Sequence, residues 1–161
     1  MSRTMFVEYR GCGFWAYDVA MGIFLKHLIA VAEPLAATSN GAWIAEAVTR
    51  WRVNAVISDF GLHIDEEWSA EQIDIFIGLA EQACSLLGAR DRISADEITA
   101  WPILDDMRIF PRGATEVLTA PVVELGKAII AVANGTLSPA PAGTWWLFGT
   151  PEGRDTIRRR Q

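Results

Sequence analysis

Residues 18–34, "DVAMGIFLKHLIAVAEP", constrain the fold more than any other stretch. At helical spacing Val19, Ile23, His27 and Ala30 share one side, while Met21, Phe24, Leu25, Leu28 and Ile29 cover most of the rest. Only Asp18, Gly22, Lys26 and Glu33 form a polar stripe. A helix that is apolar nearly all round belongs in the interior, wrapped by other elements. Asp18 is placed to cap it, and Pro34 ends it, or kinks it if it continues to Ala37. The apolar run Val19–Ala32 is fourteen residues long and carries Lys26 and His27, whereas a bilayer span needs about 20 apolar residues. A soluble chain without membrane association is expected.

The wrapping is sought in the remaining patterns. "AWIAEAVTRWRVNAVIS" repeats Trp43, Ile44, Ala47, Val48, Trp51 and Ala55 on one helical face. Ser69 with Gln72 three residues on is a capping box, opening a helix whose stripe is Ile73, Phe76, Ile77, Ala80, Cys84 and Leu87, with Gly88 as its stop. Ser94 with Glu97 opens a short helix that Pro102 disturbs. Pro121 suits the first turn of another, built on Val122, Leu125, Ile129, Val132 and Ala133 and ending at Asn134-Gly135. Thr150-Pro151-Glu152 reads as the start of a last exposed helix, with Arg158–Arg160 at its negative pole. Residues 103–119 give mixed signals and are left irregular. A strand is expected at Thr4–Tyr9, ended by Gly11 and Gly13, and "WWLFG" is a second short strand to pair with it. The expected fold is mainly α: one domain over residues 1–161, a bundle of four to five helices with room for a single two-stranded β element. A chain of this length buries roughly 70% of its unfolded surface, enough for a core without cross-links.

Charge is unevenly placed. Between Asp59 and Asp106 twelve carboxylates stand against Arg90 and Arg92, a balance of −10; the other 113 residues hold eight acids and twelve bases, or +4. Such a field repels nucleic acid and anionic membranes and attracts a basic partner. Cys12 and Cys84 are too far apart for a zinc or redox motif and suit a reducing cytoplasm. The amino terminus lacks the pattern of a secretory leader.

Asp59-Phe60-Gly61 spells the magnesium-binding tripeptide of protein kinases. That chemistry also needs a glycine-rich loop, a strand lysine and a catalytic-loop aspartate. Lys26 and Lys127 both lie in helical patterns, and fewer than 60 residues precede Asp59, so phosphoryl transfer is not expected. Asp59, His63, Asp65, Glu66 and Glu67 offer oxygen and imidazole ligands for manganese, iron or calcium, but in an order that misses the calcium-loop pattern. Negative charge at Asp65–Glu67 equally suits the helix start that follows. Cys12, between two glycines and beside Arg10, is a candidate nucleophile with only two histidines available as its base. Asp105-Asp106 reads as a solvated turn. Of the seven tryptophans, Trp43 and Trp51 belong to a helix's apolar face; Trp68 beside three acids, and Trp145-Trp146 beside a proline-rich loop, are expected to be partly exposed.

The expectation is a non-enzymatic acidic protein of adaptor, inhibitor or immunity type, with no cofactor or metal. It would dock a basic protein partner on Asp65, Glu66, Glu67, Trp68, Glu71, Asp74 and Glu81. The alternative is a small metal- or cysteine-dependent enzyme, or a ligand-binding helical domain.

Overall fold

The computed structural model describes residues 3–160. Elements follow in the order β1 (Thr4–Tyr9), β2 (Cys12–Tyr17), α1 (Asp18–Ala36), α2 (Ala42–Val56), β3 (Leu62–His63), α3 (Ala70–Gly88), β4 (Arg92–Ser94), α4 (Ala95–Ala100), β5 (Glu116–Leu118), α5 (Thr119–Asn134), β6 (Thr144–Thr150) and β7 (Gly153–Arg158). A five-stranded mixed sheet, ordered β3-β1-β2-β6-β7, and a two-stranded sheet, β4-β5, make this an α/β fold. The expected mainly helical, all-α bundle is therefore incorrect.

The strands that overturn it are intelligible in the sequence. Arg10 and Gly11 both adopt positive φ, 49° and 77°, so the glycines do not end the chain's first strand. They turn it, and Tyr9 pairs with Cys12 across a two-residue loop. Positive φ at both loop positions matches the right-handed strand twist, which is why such loops close hairpins. At the other end, "TPEGRDTIRRR" forms the β6–β7 turn and strand β7 instead of a helix. Thr-Pro-Glu initiates a turn as readily as a helix, and no apolar stripe follows to hold a helix down. β6 pairs in parallel with β2, not with β1, and β3 lies parallel to β1. Residues 103–119 hold β5 and an isolated Leu104–Met107 bridge.

One face of the large sheet buries Met5, Val7, Tyr9, Phe14, Ala16 and Phe148. Helices α1 and α5 pack against the sheet, α3 lies across both, and α2 flanks α1. The apolar helix thus takes the central place its sequence requires, with eleven of its residues buried. By length and composition α1 also passes as a membrane span, with 61% of that window buried inside the fold. It continues through Pro34 to Ala36. The carbonyl that proline leaves unbonded belongs to Ala30, which is exposed to water. Asp18 is not the cap; it is the first helical residue, and Arg112 grips its carboxylate with both guanidinium nitrogens, one at 2.6 Å. That clamp pushes the Arg112 pKa upward. On the reverse face of the sheet Phe6 meets Trp15 and Trp145, each at 5.1 Å between ring centroids.

Candidate docking site on the β3 loop and α3

The segment between α2 and α3 holds most of the residues singled out by sequence. Gly61 lies so close to β1 that a Cβ there would stand 2.8 Å from the Phe6 carbonyl oxygen, so only glycine lets this segment approach the sheet. Asn54 fixes it from the other side, donating from Nδ2 to the carbonyls of Phe60 (3.3 Å) and Gly61 (3.2 Å). β3 then pairs Leu62 with Val7 and His63 with Glu8. The magnesium tripeptide of the kinases is here a tether: Gly61 docks, Phe60 projects with 59% of its surface exposed, and Asp59 is exposed.

Beyond β3 the chain winds into α3. Asp65 Oδ1 accepts the Glu67 N–H (2.9 Å), and the Asp65 carbonyl accepts the Trp68 N–H (3.2 Å). Glu66 Oε1 accepts the Arg10 N–H of the β1–β2 turn (3.0 Å). The Ser69–Gln72 capping box is complete, with Gln72 N–H to Ser69 Oγ at 3.1 Å and Ser69 N–H to Gln72 Oε1 at 2.9 Å. Carboxylates at 65–67 and at Glu71 surround the positive end of the α3 dipole.

This turn reverses the expectation for Trp68. The indole is buried, 9% exposed, edge-on to Trp43 at 5.2 Å and tilted on Phe76 at 5.6 Å. Trp68 therefore supports the surface from beneath and is not part of it. The signal for this was present: Trp68 precedes the N-cap, the staple position that packs toward the fourth helical residue, here the buried Ile73.

The acidic window does not fold into one field. Asp59 shares a hollow with Arg3, Arg108 and Arg112, and Asp105 shares another with Lys26 and Arg52. Glu97 is held by two Arg90 contacts, at 2.7 and 2.6 Å, which depress its pKa. Asp65 stands 3.9 Å from Arg50. Glu71, Asp74 and Glu81 differ: all three are exposed, and among the described residues none has a salt bridge or side-chain hydrogen bond. At 100° per residue they fall within about 80° of one another around α3. With Glu66 and Glu67 at its start they make one acidic strip.

Beneath the strip's first end lies an apolar cleft of ≈ 420 Å³ between α2 and the 60–64 segment. Trp51, Leu62, Trp68 and Phe76, all buried, contribute to its lining, and exposed Phe60 stands at its mouth. A polar shelf adjoins it, sharing Arg50, His63 and Ile64 and adding Glu8, Asp65 and Glu66.

The enzymatic alternatives gain no assembled site. Among the described residues no three His, Cys, Asp or Glu side chains come together in a metal-holding group. His63 faces Glu8 at 3.7 Å while Asp65 and Glu66 are engaged elsewhere, so neighbours in sequence diverge in space. Cys12 is exposed at the start of β2 with neither histidine bonded to it. Cys84 is buried, which raises its pKa; its Sγ would stand 2.5 Å from a Cβ at Gly126. Asp105 and Asp106 are exposed on a turn, Asp105 at φ 49°. No family model, no curated protein and no solved structure matches the chain.

Proposed function

We propose that the protein is a non-enzymatic binding protein, of adaptor, inhibitor or immunity type. Its acidic strip, Glu66, Glu67, Glu71, Asp74 and Glu81 with Asp65 at the margin, docks a basic protein partner. One observation carries this reading. The arginines neutralise acids elsewhere, Arg112 with Asp18, Arg52 with Glu33, Arg90 with Glu97 and Arg92 with Glu116, while the carboxylates along α3 stay exposed and unpaired. An unpaired row of like charge raises the local potential and steers an opposite surface onto it. The same potential disfavours nucleic acid. Two free thiols suit a reducing compartment such as the cytoplasm.

The test is a comparison of captured proteins. Wild type, the variant Glu71→Gln/Asp74→Asn/Glu81→Gln, and a control neutralised elsewhere, Asp105→Asn/Asp106→Asn/Glu152→Gln, are immobilised and exposed to lysate at low salt. Basic proteins enriched by wild type and control but lost from the strip variant support the proposal. Equal capture by all three contradicts it.

A further inference from the structure

The cleft beside the strip has a chemistry of its own. Its interior is aromatic and aliphatic, and Asn54, one of its few polar lining groups, already spends its amide hydrogens on the carbonyls of Phe60 and Gly61. Arg50 is turned toward Asp65. No polar group is left to fix a polar ligand, so the cleft selects apolar bulk. Its mouth is not neutral. The adjoining shelf brings Glu8, Asp65 and Glu66 to the same opening, against Arg50, and Asp59 lies next to Phe60 in the chain. Phe60, 59% exposed, supplies an apolar lip that water solvates poorly until something covers it. The walls are pre-set by the Asn54 bridge and the Gly61 approach to β1, so filling the cleft requires little ordering.

We propose that this cleft receives a large apolar side chain, leucine or phenylalanine in size, presented between lysines or arginines by the basic partner. The cleft is the anchor point and the α3 strip the steering surface of one interface. This inference rests on the basic-partner reading. It adds where the binding energy concentrates, because a desolvated apolar anchor ringed by charge is the usual make-up of an interface hot spot.

The probes are two synthetic capped peptides of lysine and glycine, identical except for a central leucine or alanine. They are titrated into the full chain labelled with ¹⁵N and followed by the indole N–H resonances. The leucine peptide is expected to bind on the order of tenfold more tightly than its alanine twin. It alone should shift the Trp51 and Trp68 indole signals. Phe60→Ser, an exposed change that the fold tolerates, should reduce the leucine advantage, and Val53→Phe, which fills the cleft, should remove it while leaving the alanine peptide's binding intact. Equal binding of both peptides, with shifts confined to α3, would overturn the anchor and leave the strip standing. Absence of binding by either peptide at low salt would overturn the basic-partner reading and the anchor with it.

Discussion

Gly61 shows how much of the site depends on one missing methyl group. With the Phe6 carbonyl 2.8 Å from the place of its Cβ, Gly61→Ala must push the 60–64 segment off β1 and strain both Asn54 hydrogen bonds. A loss of about 1–3 kcal/mol is expected, read from urea unfolding. His27 makes a second residue-scale prediction. It is buried against Trp101, and since a carbonyl only accepts, its Nδ1 carries the proton donated to Ile23 O at 2.8 Å. Burial holds its pKa below the usual 6.5. The unfolded chain therefore binds the proton more readily, so stability is complete above that value and declines as pH falls toward the folded pKa. Melting temperatures recorded between about pH 7 and 5 should fall more steeply for wild type than for His27→Gln. At this scale the sequence reveals composition better than direction. Asp65–Glu67 made Trp68 look exposed, yet an Asx turn at Asp65 rotates the indole inward.

Among elements, the helices were legible because each carries its own signals. α3 has its cap, stripe and stop within nineteen residues, and the α5 bounds follow from Pro121 and Gly135. Ser69→Ala removes an acceptor that no neighbour replaces, and should cost about 1 kcal/mol in thermal or urea unfolding. The strands were harder for a physical reason. β2 is stabilised by β1 and β6, on either side of it in the sheet and distant in sequence, and Gly13 within it fits because the Phe6 ring fills the space of its missing side chain. β7 is an edge strand whose exposed arginines resemble a solvated helix, and Arg154 and Arg159 stack on Trp146 and Trp145. Only pairing, which a single sequence does not display, separates the two. α1 was placed by the breadth of its apolar surface, but its partners on one side are strands where helices were expected.

For the molecule as a whole, the net charge of −6 is less informative than its partition. Twelve acids close in sequence disperse into paired surface carboxylates, hollows shared with arginine and lysine, and one uncompensated strip on α3. Chain order foretold the strip because a helix carries its own geometry. The cleft was not legible, since it forms only where α2 meets a segment tethered to β1. Both features converge on the 59–71 region, and together they account for a protein that attracts a basic partner and holds it by an apolar anchor. The most direct measurement is the association rate of the leucine-bearing lysine peptide as a function of ionic strength, for wild type and for Glu71→Gln/Asp74→Asn/Glu81→Gln. Steering by α3 predicts a rate that falls steeply toward about 0.15 M salt in wild type, and a slow, nearly flat profile in the variant. Superimposable profiles for the two proteins would contradict it.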